Sequence, residues 1–131
     1  AGKVVITDRY ADSSNVYQGI CRKLGLEQTL ELNDYATQGI YPDIALVLDL
    51  PVKMGFARMR QRVLDRMEKE KSSFHEQVRK GFLHLSRKYP KRIQVIDAAQ
   101  TENEVRAEIE NLVVNRIRKT KGTSLWKKLA K

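Results

Sequence analysis

The chain has 131 residues, of which 41% are hydrophobic and 31% are charged, so it suffices for one globular domain with a modest core. No apolar run approaches the ~20 residues of a membrane-spanning helix, and the first residues show no signal-peptide pattern. The one cysteine, Cys21, excludes an internal disulfide and fits a reducing compartment, so we expect a cytoplasmic protein.

The positive charge is concentrated at one end of the chain. The net charge of +9 invites a nucleic-acid-binding interpretation. Residues 115–131, however, hold seven basic residues and no acid, whereas the other basic residues are mostly mixed with acids. We therefore expect residues 119–131 to form a basic tail, either a short amphipathic helix or a frayed end, and we regard nucleic acid as a disfavoured partner.

The first predicted element is a short buried strand over Val4–Thr7, because its residues are mostly apolar. The strand ends in an acid and Arg9. A helix follows over about residues 12–24, where Asp12 or Ser13 can act as the N-cap. Open α/β sheets bind their ligands where a strand ends and leads into a helix, so we expect a ligand site here.

One face of this helix carries groups that bind a polar ligand. Ser14, Tyr17 and Gln18 lie at i, i+3 and i+4 and therefore share a helical face, with Arg9 at its mouth. An arginine beside an aromatic ring and two hydrogen-bonding side chains suits a small ligand that has a phosphate at one end and a planar polar ring at the other.

Helices and apolar strands alternate along the rest of the chain, which is typical of a parallel α/β sheet. Ile44–Leu48 is a continuous apolar run and predicts a strand that is buried on both faces; Ile93–Ile96 predicts a third, short strand. Helices are predicted over residues 27–38 up to Gly39, from Pro51 onward, from Ser73 to about Tyr89, and after the capping box of Thr101 and Glu104.

The helix after Pro51 carries an arginine stripe, formed by Arg58, Arg62 and Arg66 at fourfold spacing, with Arg60 offset. Like charges at i and i+4 repel each other, so this arrangement slightly destabilises the helix. The stripe is either a merely solvated face of the helix or a surface that faces phosphate groups. The second interpretation is favoured because arginine binds phosphate oxygens through two parallel hydrogen bonds.

Each predicted strand ends in an acid, namely Asp8, Asp49 and Asp97. Asp8 is the strongest functional candidate, because an apolar strand precedes it and an arginine follows it, as in a Walker-B-like strand. Such a carboxylate can hold Mg²⁺ directly or through water. We expect His75 and His84 to be surface or packing residues, because no spacing of cysteines, histidines and acids predicts a zinc site.

Several motifs together resemble bacterial-type thymidylate kinase. The most distinctive stretch runs from Asp8-Arg9-Tyr10 through Asp12-Ser13-Ser14 to Tyr17-Gln18-Gly19. The likeness continues in family order to about residue 112, in the segments Leu32–Thr37, Pro42–Leu50, Leu64–Glu68, Phe74–Arg79 and Val95–Ala98.

The resemblance implies an α/β fold, a three-layer parallel sheet of the P-loop nucleoside monophosphate kinase type, and a homodimer. The family begins with a strand, a glycine-rich phosphate loop and a helix, but nothing in this sequence reads G-x-x-x-x-G-K-S/T. Residues 1–118 therefore look like the C-terminal part of such a kinase, with an incomplete sheet, a lid region at about 58–72 and a tail at 119–131.

The resemblance also implies a reaction: phosphoryl transfer from ATP to dTMP, with Mg²⁺, giving dTDP for dTTP synthesis. Ser14 and Gln18 would contact the thymine edge, and Tyr17 would line the nucleoside pocket. The implied catalytic residues are Asp8, which would also bind the metal, Arg9, Arg58, Arg62 and Arg66. The implied substrate-binding residues are Arg9, Ser13, Ser14, Tyr17 and Gln18. Ala98, Ala99 and Gln100 would lie near the adenine of ATP. Which of Arg58, Arg60 and Arg62 takes the key lid role stays open.

The phosphate loop normally holds the donor phosphates, and the absent strands would leave the sheet edge unpaired and the core incomplete. We therefore expect the chain alone to be weakly folded or inactive. It would become a kinase as part of a longer protein or beside an N-terminal portion that carries the loop. Two alternatives remain open: a catalytically incompetent remnant that binds nucleotide or dimerises, and a basic nucleic-acid-binding domain whose binding would be strongly salt-dependent.

Overall fold

The computed structural model describes residues 4–59 and 71–120. Its helices and strands follow the alternation that the sequence predicts. In chain order they are α1 (Ala11–Ser14), a π-helical segment that continues it (Asn15–Cys21), α2 (Leu26–Thr37), β1 (Ala45–Asp49), α3 (Val52–Met59), α4 (Ser72–Lys88), β2 (Ile93–Asp97) and α5 (Glu102–Thr120).

The two strands pair in parallel, which confirms the predicted α/β class. Their register runs from Ala45 opposite Ile93 to Asp49 opposite Asp97, so the two strand-end acids lie side by side. The Ala98 N–H donates to the Asp49 carbonyl at 2.8 Å and extends the pairing by one residue. The described part of the sheet has two strands, which fits an incomplete sheet.

The predicted strand Val4–Thr7 is wrong for the described structure. These residues are irregular, and Val4, Val5 and Ile6 are 67%, 85% and 91% exposed. A strand exists only beside a neighbour that satisfies its backbone N–H and C=O groups, and neither β1 nor β2 pairs with this segment. The prediction that β1 is buried on both faces is also wrong, since Leu48 is 54% exposed.

The core lies where α4 packs against the π-helical segment and the sheet. It is formed by Val16, Val78, Leu85 and Ile93, all at most 8% exposed. Burying each of these side chains contributes roughly 1.5–3 kcal/mol. The apolar side of α4 therefore faces this core and packs against the π-helical segment from which the candidate ligand-binding side chains project.

The start of the first helix differs from the prediction. It begins at Ala11 with Tyr10 at the N-cap position and no capping side chain. Asp12 is not a cap, because its carboxylate accepts two hydrogen bonds from Arg92 instead. The helix also changes to π winding and ends at Cys21, earlier than the predicted residue 24.

Two predicted helix boundaries are confirmed. After α2, Gln38 takes the left-handed conformation that terminates helices, with φ +53°, and Gly39 follows with φ +71°. Before α5, the Glu104 carboxylate accepts hydrogen bonds from the Thr101 N–H at 2.9 Å and from its hydroxyl at 2.6 Å, and the Glu104 N–H donates back to the hydroxyl at 3.4 Å. This is the reciprocal pattern of a capping box.

Candidate functional site

The side chains predicted to bind the substrate surround one cleft. It has a volume of about 430 Å³, and we call it the Arg9–Arg22 cleft. Its lining residues are Arg9, Ser13, Ser14, Tyr17, Gln18 and Arg22. All five residues of the predicted substrate-binding set are thus brought together, and Arg22 is the one that the sequence analysis missed.

The π winding explains why Arg22 reaches this cleft. In an α-helix with 3.6 residues per turn, a residue nine positions after Ser13 would lie on the opposite side. Here the Arg22 N–H donates to the carbonyl of Tyr17, five residues back, at 3.0 Å. Because each turn then holds more residues, Ser13, Gln18 and Arg22 follow one line at spacings of five and four. Extended π winding is rare, so the sequence offered no usable signal for Arg22.

Both arginines of the cleft lie against aromatic rings. The Arg9 guanidinium lies 5.3 Å from the centre of the Tyr17 ring, and that of Arg22 lies 5.6 Å from the centre of the Phe74 ring. The two rings are 6.1 Å apart, so they form a continuous aromatic surface between the two cations. No acid lines the cleft among the described residues, which favours an anionic ligand with a planar part.

Arg9 has an unusual backbone conformation. Its φ of +65° lies in the left-handed region, which is sparsely populated by residues other than glycine. The Thr7 hydroxyl donates to the Arg9 carbonyl at 3.0 Å. Strained conformations of this kind cost about 1–3 kcal/mol and cluster at ligand sites, which agrees with the position of Arg9 at the cleft.

A second group of predicted residues meets at the carboxyl ends of the strands. The Arg58 guanidinium donates to the Ala98 carbonyl at 3.0 Å, so α3 contacts the loop after β2. Within that loop, the Ala99 N–H donates to the Asp97 carboxylate at 2.8 Å, and Ala99 and Gln100 are exposed. The other predicted lid arginines, Arg60, Arg62 and Arg66, and the tail residues 121–131 lie outside the described residues.

The three strand-end acids have different surroundings. Asp49 pairs with Arg79 through two hydrogen bonds of 2.7 and 2.9 Å, which lower the pKa of its carboxyl more than burial raises it. Asp97 accepts the loop N–H described above. Asp8 is exposed and, since residues 4–7 are irregular, does not end a strand. No group of three or more metal-ligating side chains occurs in residues 4–59 and 71–120.

A second, mainly apolar cavity of about 270 Å³ lies at the end of β1, and we call it the β1 cavity. Its walls include Leu48 from the strand, Phe56 from α3, and His75 and Phe82 from α4. The His75 ring meets the Phe56 ring edge-on at 5.2 Å, as expected for a packing histidine, and His84 is exposed.

Comparison with known proteins decides the family. The family model described as thymidylate kinase matches residues 1–109. The chain belongs to the thymidylate kinase family. The α/β fold described above is therefore that of the P-loop nucleoside monophosphate kinases, with an incomplete sheet.

Individual thymidylate kinases are similar to this family member over most of its length. The enzyme of Leuconostoc mesenteroides is 45% identical over 106 residues, which are 79% of this chain and 50% of that enzyme. Those of Leuconostoc citreum and Thermoanaerobacter sp. (strain X514) are 39% and 40% identical, over 93% and 86% of this chain and 58% and 55% of the relatives. The chain thus spans about half the length of the curated relatives that it matches.

In the part of the chain that the structure describes, no helix is both long enough and apolar enough to cross a bilayer.

Proposed function

We propose that this chain supplies the dTMP pocket and the arginine lid of a kinase that transfers the γ-phosphoryl group of ATP to dTMP, giving dTDP for dTTP synthesis. The observation that carries the proposal is the Arg9–Arg22 cleft, in which two arginines, two serines, an aromatic ring and an amide converge. Membership of the thymidylate kinase family supports the reaction and its substrates.

In this proposal the acceptor lies along the cleft. Arg9 holds the monophosphate, since a guanidinium stays charged and matches the geometry of phosphate oxygens. Ser14 and Gln18 bond to the polar edge of the pyrimidine, and Tyr17 lines the nucleoside with its ring. Ser13, which lines the same cleft, would contribute a hydroxyl to the substrate.

The donor would bind at the carboxyl edge of the strands. The segment Ala98–Gln100 would lie near the adenine of ATP, and the contact between Arg58 and Ala98 links this segment to the lid helix. Arg62 and Arg66 would help to neutralise the γ-phosphate, which is the main demand of phosphoryl transfer besides positioning. Closure of such a lid excludes water from the reaction.

Asp8 fits the requirement of Mg²⁺. Its carboxylate is exposed and lies next to the proposed phosphate-binding Arg9. A single carboxylate suffices, because Mg²⁺ usually keeps several waters and completes its shell with substrate phosphates. Bound there, the ion would neutralise phosphate charge while Arg9 orients the acceptor.

We further propose that the kinase needs a portion bearing a phosphate loop, because the chain has no such motif and spans about half of its relatives. The exposed Val4–Ile6 segment, the half-exposed Leu48 and the open β1 cavity are apolar surfaces that such a portion would cover. Leu32 and Tyr35 on α2, which are 67% and 87% exposed, suit the homodimer contact.

Ligand titration tests the cleft. The chain, alone and mixed with the unmatched half of the Leuconostoc mesenteroides enzyme, is titrated with dTMP, thymidine and dCMP in a calorimeter. Arg9→Met should weaken dTMP binding by at least about tenfold, the loss of one charge-assisted contact, with little effect on thymidine. Arg106→Met, which removes an exposed arginine paired with Glu110, is the control.

Equal dTMP affinity in the wild type and in Arg9→Met would refute the assignment of the phosphate to Arg9.

The alternative function, a catalytically incompetent remnant that binds nucleotide, has one observation in its favour, namely that the chain has no phosphate-loop motif. It predicts normal dTMP binding in the mixture without any turnover of ATP.

A further inference from the structure

Arg92 joins the sheet to the first helix by a buried ion pair. Its Nη1 lies 2.5 Å from Asp12 Oδ2, and its Nη2 lies 2.8 Å from Asp12 Oδ1. The two side chains are 18% and 12% exposed and are separated by 80 positions in sequence. The rings of Tyr41 and Tyr89 each lie 5.3 Å from the Arg92 guanidinium and enclose it.

The backbone of Arg92 is itself fixed to the sheet. Its carbonyl accepts the Ala45 N–H at 2.9 Å, and its own N–H donates to the Tyr89 carbonyl at 3.0 Å. The guanidinium therefore projects from a rigid base. Because its two terminal nitrogens each donate to a different oxygen of one carboxylate, the pair fixes orientation as well as distance.

Asp12 lies immediately before two residues of the Arg9–Arg22 cleft, Ser13 and Ser14. The helix start at this point has no side-chain cap, and residues 4–10 before it are irregular and exposed. Apart from the Arg92 contact, the amide of Asn33 on α2 holds it, by donating to the Asn15 side chain at 2.6 Å and to the Ala11 carbonyl at 3.4 Å. Polar contacts from Arg92 and Asn33, together with the bond from the Tyr10 hydroxyl to the Ile40 carbonyl at 3.2 Å, thus hold this end of the helix.

We infer that Arg92 is a positioning residue for the acceptor: through Asp12 it sets the rotation of α1 relative to the sheet and thereby the placement of the cleft residues Ser13 and Ser14. The inference rests on the proposed function of the Arg9–Arg22 cleft. It assigns to a residue that immediately precedes β2 and lies outside the cleft a role in acceptor binding.

Stability and positioning can be separated with a double variant. Arg92→Met alone leaves the Asp12 carboxylate buried without a partner and should strongly destabilise the fold. In Asp12→Leu/Arg92→Met both charges are replaced by apolar groups, which often restores stability. We expect this double variant to melt near the wild-type temperature but to bind dTMP at least about fivefold more weakly, because the two-bond contact that orients α1 relative to the sheet is lost.

Arg92→Lys provides a second measurement that does not depend on the double variant. A lysine keeps the charge but offers a point contact in place of the two-bond fork, so we expect a folded protein with dTMP affinity between those of the wild type and the double variant. Arg106→Lys, which changes an exposed pair on α5 in the same way, should leave the affinity unchanged. Wild-type affinity in Arg92→Lys, or in a stable double variant, would overturn the inference.

A readout without ligand distinguishes this inference from the proposed function. Amide hydrogen exchange is followed residue by residue in the wild type and Arg92→Lys at a temperature where both are folded. The inference predicts faster exchange of the amides in residues 13–21 and unchanged exchange in α5. If the wild type binds no dTMP, the proposed function fails, whereas unchanged exchange in residues 13–21 overturns the positioning role.

Discussion

Gly81 lies directly against Val16. A Cβ atom on Gly81 would be 2.8 Å from the Cγ1 atom of Val16, closer than two carbon atoms can approach without displacement. Gly81 is buried in the middle of α4, and Val16 is fully buried in the π-helical segment. The glycine therefore allows α4 to approach the segment that carries the Arg9–Arg22 cleft, which explains its presence in a helix interior.

Gly81→Ala should lower the free energy of unfolding by about 1–3 kcal/mol, as overpacked core substitutions do. The clash outweighs the gain of up to ~1 kcal/mol that alanine brings to a helix. The control is Gly55→Ala in α3, where the nearest atom to the new Cβ is Leu50 Cδ2 at 3.8 Å. This substitution causes no clash, so only the stabilising effect of alanine on the helix remains. Urea titration followed by circular dichroism measures both, and equal stability of the two variants would contradict the close approach.

The ion pair of Asp49 and Arg79 predicts a loss of stability in acid. Arg79 lowers the pKa of Asp49 in the folded state, so the pair stabilises the protein above the ordinary aspartate pKa of about 4. The stabilisation is lost as the pH falls from about 4 through the lowered folded-state value. Melting temperatures between pH 7 and pH 3 should fall less steeply in Asp49→Asn and Arg79→Gln than in the wild type; parallel curves would show that the pair does not contribute.

Arg58 should affect the donor and not the acceptor. Its guanidinium contacts Ala98 in the loop proposed to lie near adenine, and Arg58 does not line the Arg9–Arg22 cleft. In the reconstituted mixture, Arg58→Met should raise the KM for ATP several-fold while the KM for dTMP stays constant. Lys53→Met, on the same helix and also exposed, is the control. An equal rise in both KM values would contradict the assignment to the donor side.

Arg22 should strengthen binding of the anionic acceptor. It is the second cation of the Arg9–Arg22 cleft, so Arg22→Met should weaken dTMP binding by about three- to tenfold, and the loss should shrink as salt is added. Lys23→Met removes the neighbouring charge outside the cleft and should have a much smaller effect. Titration calorimetry at two salt concentrations measures the dTMP affinity of both variants. Identical losses of affinity in the two variants would mean that Arg22 acts through net charge alone.

Local patterns predicted those parts of the fold whose causes are local. The sequence predicted β1 and β2 because each is a mostly apolar run that ends at an acid. It predicted the capping box before α5 because Thr101 and Glu104 are three residues apart. The side chains of the candidate site were likewise visible, since Ser14, Tyr17 and Gln18 share a helical face.

Features that depend on distant partners escaped prediction. Val4–Thr7 has the composition of a strand, but a strand requires a neighbour. The Asp12–Arg92 pair joins positions 80 residues apart. Because the local sequence does not show this partner, Asp12 was predicted to be a helix N-cap. The π winding that brings Arg22 to the cleft accompanies close packing of Gly19 against the Thr29 hydroxyl, a contact that no local pattern encodes.

The decisive measurement is phosphoryl transfer from ATP to dTMP with Mg²⁺, assayed for the chain alone, for the unmatched half of the Leuconostoc mesenteroides enzyme alone, and for their mixture. We predict formation of dTDP only in the mixture and its loss when the chain carries Arg9→Ala. A mixture that forms a complex yet produces no dTDP would contradict the account and favour a binding remnant.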